Sequence, residues 1–143
     1  MKQTLTSFRI VVLAIVLAGS GIADTTGTLP GSTRMLPGYI HEPLQGIDSR
    51  VGRIVKRGAC TIHYDIGGMS GNYAQSAKKE ALWYKEALFN GQPAQNSFKS
   101  DKTLIVSFPR SSANFYTTIS REEDVVDFLL TTMTFPRTKR TLH

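Results

Sequence analysis

A cluster of glycines around a serine is the feature of this sequence that comes nearest to a chemical motif. It contains Gly67, Gly68, Met69, Ser70 and Gly71, and a segment with helical spacing follows it. A glycine turn before a helix presents backbone amides to an anion. With Ser70 at its centre, the cluster also resembles the strand-to-helix turn that exposes the nucleophile of many hydrolases. A turn that needs glycine for a positive φ explains the same residues without any ligand.

The single cysteine, Cys60, is the second candidate nucleophile. One thiol cannot form an internal disulfide, so it is buried, paired with another chain, or reactive. The nearest histidine, His63, is three residues away, and on a strand this spacing puts the two side chains on opposite faces. We therefore keep a small hydrolase or thiol enzyme that uses Ser70 or Cys60 as the alternative hypothesis.

Basic residues and one tryptophan are the candidates for binding. Arg50, Arg53, Lys56 and Arg57 lie within eight positions that contain no acid. They form either an anion-binding edge, with Arg53 and Lys56 beside the glycine cluster, or the solvated face of a strand. Trp83 lies off the main apolar stripe of its predicted helix, as expected of an exposed interface anchor. The three histidines lack metal-ligand spacing, so we expect neither a metal nor a cofactor.

Residues 1–23 have the pattern of a secretory signal peptide. Lys2 and Arg9 are basic, residues 10–18 are uninterruptedly apolar, and Ala23 precedes the expected cleavage site. The apolar run is about half the ~20 residues that a spanning helix needs. Ser20 stands where a lipoprotein would carry its acylated cysteine. We expect an exported product in the periplasm or outside the cell, with no stable membrane anchor.

The charge balance indicates the kind of partner. The chain of 143 residues has 17 Lys and Arg against 11 Asp and Glu, and cleavage after Ala23 removes only Lys2 and Arg9. The remaining excess of base is small. It favours an anionic partner, either a protein or an envelope or host component, and we expect no nucleic acid.

The predicted elements indicate one small domain. Alternation over residues 60–66 predicts a strand, and residues 103–108 and 114–119 predict two more. Helical spacing predicts helices over residues 72–90, capped by Asn72, and from 120 to 136. Residues 91–101 are predicted to be a polar loop. The fold class is therefore α+β or a small α/β, with three to four strands in the order β-β-α-β-β-α. The predicted layout is a signal peptide (1–23), a flexible linker (24–49), the domain (50–136) and a basic tail (137–143).

Several of these segments resemble the VirK proteins, which are small exported proteins of plant-associated bacteria. The likeness rests on the signal peptide, the strand over residues 55–62, Gly67 with Gly68, and residues 104–110. The resemblance implies an association with virulence and no catalytic residues. With the residue patterns, it leads to the main hypothesis of an exported, non-enzymatic protein that binds a partner.

Overall fold

The computed structural model describes residue 29 and residues 33–135. The predicted signal peptide and basic tail lie outside the described residues. Within them the chain forms seven strands and two helices, with one short 3-10 turn. The elements are β1 (Ile40–Leu44), β2 (Arg50–Val55), β3 (Ile62–Ile66), α1 (Tyr73–Ala77), β4 (Ala81–Phe89), β5 (Gln92–Lys99), β6 (Thr103–Phe108), the turn Pro109–Ser111, β7 (Ala113–Thr118) and α2 (Glu122–Thr132).

All seven strands belong to one antiparallel sheet, in the order β1-β2-β3-β7-β6-β5-β4. Strands β1 to β3 form one meander and strands β4 to β7 form a second. The α1 segment connects them, so the second meander begins at the far edge and returns until β7 pairs with β3. The two edge strands of the described sheet are therefore β1 and β4.

Helix α2 packs on one face of this sheet and forms the core with it. Tyr64 lies directly opposite Phe115 in the β3–β7 pair, so both side chains point to the same face. Phe128 of α2 and Phe135 complete an aromatic cluster on that face. The remaining fully buried apolar side chains include Ile54, Ile62, Val106 and Phe108. The opposite face is covered only in part, by the short helix α1.

The predicted fold class is wrong, because the described chain is mostly sheet and has seven strands instead of three to four. The largest error is the helix expected over residues 72–90. Helix α1 ends at Ala77, and the nine residues of Ala81–Phe89 form the edge strand β4. An edge strand with solvent on both faces needs no strict polar–apolar alternation. The helical spacing of the apolar residues in β4 is therefore a coincidence and does not indicate a helix.

The turn after β4 explains the second error, the polar loop expected over residues 91–101. Asn90 and Gly91 both have positive φ, at 49° and 73°, as a two-residue hairpin turn requires. They join β4 to β5, and β5 fills most of the predicted loop. Pro93 has no backbone N–H to donate to a neighbouring strand. It is compatible with this inner strand because β6 pairs only with Gln95 to Phe98 of β5, so Pro93 lies beyond that pairing.

Other predicted elements lie where the sequence patterns place them. Strands β3, β6 and β7 and helix α2 coincide with predicted elements within a few residues. Strand β1 lies inside the segment 24–49 that was predicted to be a flexible linker. In the same segment Tyr39 is buried, and its hydroxyl donates a hydrogen bond to Asp127 of α2 at 2.7 Å.

Removal of the Phe128 ring tests how much the α2–sheet contact stabilises the fold. Phe128→Ala leaves a cavity among fully buried rings, and we expect it to lower the free energy of unfolding by about 3–5 kcal/mol. Leu130→Ala, at an exposed position on the same helix, should change it by less than about 0.5 kcal/mol. Urea unfolding of both variants measures the difference. Equal losses would contradict the packing described here.

Candidate functional site

The Ser70 hydroxyl lies among backbone carbonyls. Its Oγ is 2.7 Å from the carbonyl oxygens of both Gly67 and Ser112, so its single hydrogen is donated to a backbone acceptor. The Ser70 amide also donates to the Gly67 carbonyl, at 3.1 Å. A nucleophilic serine instead donates to a general base. The contacts of Ser70 are those of a residue that closes a turn.

The amides at the start of α1 are bound by side chains of the protein. Tyr73 N donates to Asn114 Oδ1 at 3.0 Å, and Ala74 N donates to Ser107 Oγ at 2.9 Å. Asn72 Oδ1 accepts the amide of Gln75 at 3.0 Å, as the sequence predicts for a helix cap. An anion at this position would have to displace three existing acceptors.

The three glycines of the cluster differ in their surroundings. A Cβ at Gly67 would lie 3.0 Å from the Ser49 Cα, so close approach of two backbones explains this glycine. The carbonyl of Gly71 accepts a hydrogen bond from Asn114 Nδ2 at 2.7 Å. Gly68 is exposed, and a Cβ there would meet nothing within 4 Å. The cluster is therefore a turn tied to the strand that contains Asn114.

The two basic candidates, Arg53 and Lys56, interact with neighbouring side chains. Arg53 Nε forms an ion pair with Glu42 Oε2 at 2.5 Å, between the adjacent strands β2 and β1. Lys56 Nζ lies 5.4 Å from the centre of the Tyr39 ring. Both are surface residues, and an exposed ion pair of this kind contributes little to stability.

Cys60 is a buried free thiol beside the start of α2. Its Sγ is 3.7 Å from the Asp124 carbonyl and 3.9 Å from the Tyr39 hydroxyl, and its amide donates to Asp124 Oδ1 at 3.1 Å. Burial raises the pKa of the thiol, which disfavours the reactive thiolate. This environment is that of a packed residue.

Trp83 lies on edge strand β4 and is 46% exposed. It is registered opposite Phe98 of β5, and the two rings stack with centroids 6.4 Å apart. Beside this pair a cleft of about 550 Å³ runs between the β4–β5 hairpin and α2. We call it the Trp83 groove; its apolar lining comprises Leu82, Phe98, Ile119 and Val125, and Lys102, Arg121 and Glu122 lie at its rim.

Helix α2 carries a second exposed apolar surface. Val126, Leu130 and Met133 are exposed and spaced four and three residues apart, so they form one stripe along the outer face of the helix. Exposed apolar side chains that are contiguous, instead of scattered, are typical of an interaction surface.

The structure does not bring the predicted binding residues together. Arg53 lies on β2 and Trp83 on β4, with four strands between them in the sheet. Arg53 is registered opposite His63, whereas Trp83 is registered opposite Phe98. These two pairs point to opposite faces of the sheet, because His63 is the chain neighbour of the core residue Tyr64. A single ligand cannot contact both.

Sequence reasoning missed most of the groove and a second cluster on the opposite face. Phe98 was assigned to a polar loop, although an aromatic residue in such a loop was the available indication of a strand. The second cluster joins His63 and Asp65 of β3 to Tyr116 of β7 and Tyr73 of α1. It depends on the β3–β7 pairing, which no local pattern predicts.

The described residues contain neither a cluster that could hold a metal ion nor a helix that could span a membrane. No group of three His, Cys, Asp or Glu side chains in them could hold a metal ion. No helix among the same residues is long and apolar enough to cross a membrane.

Comparison with protein-family models, with curated proteins and with solved structures finds no match to this chain. The resemblance to the VirK proteins therefore rests on the quoted residues alone.

Thiol labelling tests the environment of Cys60. We expect the native protein at neutral pH to react with a disulfide reagent such as dithiobis(nitrobenzoate) far more slowly than a free thiol, because the sulfur is buried. In denaturant the single thiol should react completely. Rapid labelling of the native protein would contradict the buried environment and favour the thiol-enzyme hypothesis.

Acid titration tests the role of Asp124. Burial opposes its ionisation, but the amides of Ser120 and Arg121 and the Arg121 guanidinium outweigh it and lower the pKa of Asp124. Because the pKa is lower in the folded state, the carboxylate contributes stability above the unfolded value of about 3.9, and this is lost as the pH falls further.

Asp124→Asn should therefore destabilise the protein at pH 7 by about 1–3 kcal/mol and flatten the loss of stability below about pH 4. Asp48→Asn, at an exposed carboxylate, is the matched control and should follow the wild type. Denaturant unfolding across that pH range measures both. A variant curve parallel to the wild type would rule out this role for Asp124.

Proposed function

We propose that this protein is an exported, non-enzymatic binding protein that captures a partner protein in the Trp83 groove. The observation that carries the proposal is the stacked Trp83–Phe98 pair, in which Trp83 stays half exposed beside an apolar cleft. Tryptophan is the side chain most enriched among residues that dominate binding energy. Exposing this side chain to water does not stabilise an isolated domain.

The residues that line the groove indicate which kind of partner segment it would bind. Its apolar floor suits a large apolar side chain. At the rim, Lys102 takes part in none of the described ion pairs, whereas Arg121 is paired with Asp124. The whole chain is also basic. We therefore expect a partner segment that presents an aliphatic or aromatic side chain flanked by carboxylates, with association that slows as salt increases.

The two edges of the sheet support the same location. Strand β1 has five residues and contains Pro43, and its Glu42 forms an ion pair with Arg53 of the adjacent strand β2. These features discourage pairing with another chain. Strand β4 has nine residues and no proline. Leu82, at the end of β4 that lines the groove, is 67% exposed. The part of this edge beside the groove is thus the one suited to contact.

The alternative, a hydrolase or thiol enzyme, has less support. The Ser70 hydroxyl donates to a backbone carbonyl, and burial raises the pKa of the Cys60 thiol. Export is proposed from the pattern of residues 1–23, which places the binding event in the periplasm or outside the cell. The resemblance to the VirK proteins suggests that the partner belongs to a host or to the bacterial envelope.

Site-specific photocrosslinking in the producing cell tests the proposal. A benzoylphenylalanine at Leu82 places the crosslinker at the groove, and one at Leu88 places it at an equally exposed position on the same strand. We expect a discrete adduct from position 82 only. Trp83→Ala in the position-82 background should weaken capture about 30-fold, the effect of losing a dominant interface residue of roughly 2 kcal/mol.

Two further measurements separate loss of contact from loss of fold. The far-ultraviolet circular dichroism and urea midpoint of Trp83→Ala should stay close to the wild type, because the ring is half exposed. Equal adducts from positions 82 and 88, or an adduct that Trp83→Ala leaves unchanged, would mean that the groove is not the binding surface.

A further inference from the structure

A second cleft lies on the face of the sheet opposite α2, and two tyrosines form its walls. Its volume is about 360 Å³. Tyr73 of α1 and Tyr116 of β7 line it, with ring centroids 5.9 Å apart, and Ile105 of β6 forms its floor. Glu80 and Lys99 lie at the rim. We call this the tyrosine cleft; it shares no residue with the Trp83 groove.

A carboxylate without a cationic partner lies behind the two rings. The Tyr73 hydroxyl donates to Asp65 Oδ2, while Asp65 Oδ1 is buried and has no hydrogen-bond partner among the described residues. Asp65 takes part in none of the ion pairs found in that part of the chain. No described cation therefore compensates this charge, and a cation bound nearby would do so.

The charges at the tyrosine cleft that take part in none of the described ion pairs, on Asp65 and Glu80, are both negative. The hydrogen bond to Asp65, followed by burial, raises the pKa of Tyr73 to about 12. Burial and then the Asp65 charge raise the pKa of Tyr116. At the rim, the Lys99 ammonium is paired with Asp101 at 3.3 Å, whereas Glu80 takes part in none of the described ion pairs.

The position of the tyrosine rings is fixed by contacts on their other sides. His63 stacks on Tyr116, with centroids 5.1 Å apart and planes within 11° of parallel. Tyr73 is held by Asp65 and by the hydrogen bond that its amide donates to Asn114. Preorganised aromatic walls of this kind do not have to be ordered when a ligand enters.

We infer that the tyrosine cleft binds a quaternary ammonium cation against the rings of Tyr73 and Tyr116, over Ile105, with Glu80 at the rim and Asp65 behind the rings supplying negative charge. Aromatic faces attract weakly hydrated organic cations, and their recognition of quaternary ammonium groups needs no hydrogen-bond acceptor at the cation. A primary ammonium would need acceptors for three N–H groups. The floor at Ile105 instead suits methyl groups.

Choline and its neutral isostere 3,3-dimethyl-1-butanol are the probes that separate charge from shape. We expect saturable binding of choline chloride to the full-length protein by calorimetry, measured at constant ionic strength. The alcohol should bind about three- to thirtyfold more weakly, which is the range of a cation–π contribution. Equal binding of both compounds, or no saturable binding of choline, would overturn the inference.

Variants assign the binding to this cleft. Tyr116→Leu should weaken choline binding about tenfold because it removes one aromatic wall. Glu80→Gln, at an exposed position where folding is not at risk, should weaken it a few-fold. Trp83→Ala is the matched control on the other face and should leave choline affinity unchanged. Affinity lost only in the Trp83 variant, or unchanged in both cleft variants, would contradict the assignment.

A choline group can come from the free compound or from a lipid headgroup, and vesicles separate these sources. Cosedimentation with phosphatidylcholine vesicles that Tyr116→Leu abolishes would assign the cleft to the headgroup. Choline binding without cosedimentation would assign it to the free cation. Cosedimentation that Tyr116→Leu leaves unchanged would count against the cleft as the vesicle-binding site.

Discussion

The pairing of β3 with β7 is the contact on which the rest of this structure depends. It joins the last strand of the first meander to the last strand of the second. These two strands are about fifty residues apart in the chain, and the meanders share no other strand pair. On one face the register places Tyr64 opposite Phe115 in the core, and on the other it places His63 opposite Tyr116 beside the tyrosine cleft. A slip of one residue would exchange these faces, burying polar rings and exposing the aromatic core. Core and cleft are thus specified by the same register.

The Trp83 groove follows from a mismatch between the sheet and the helix that covers it. Seven strands spaced about 4.8 Å apart are far wider than one helix about 10 Å in diameter. Helix α2 covers the centre of the sheet, where Phe115 and Phe128 are fully buried. The hairpin of β4 and β5 extends beyond it, so Phe98 is only partly buried and Trp83 is half exposed. The groove is therefore the apolar margin that α2 is too narrow to cover.

The sequence predicts the centre of the fold better than its margin, for a physical reason. Strand β3 and helix α2 each have one face in the core, and burial imposes a readable period on their residues; strand β6 is buried on both faces and reads as a short apolar run. Strand β4 has solvent on both sides, so its helical spacing at Ala81, Tyr84 and Leu88 is a coincidence that nothing in the chain opposes. Trp83 was recognised as exposed although its element was wrong, because a tryptophan that fits no apolar stripe is unusual in either element. The tyrosine cleft could not be predicted, since its residues meet only through long-range pairing.

Several polar side chains that the sequence offers as candidates for chemistry form hydrogen bonds to backbone groups instead. Ser70 donates to a turn carbonyl, and Asp124 accepts amides from Cys60 and Ser120. Asn114 both accepts the Tyr73 amide and donates to the Gly71 carbonyl. Loops between the strands of a small sheet leave many amides and carbonyls without ladder partners, and an unpaired buried group costs about as much as a lost hydrogen bond. Residues committed in this way cannot change partners during a reaction without loosening the fold. The groups with freedom to engage a ligand are instead the half-exposed aromatic rings and the carboxylates beside them, which favours recognition over catalysis.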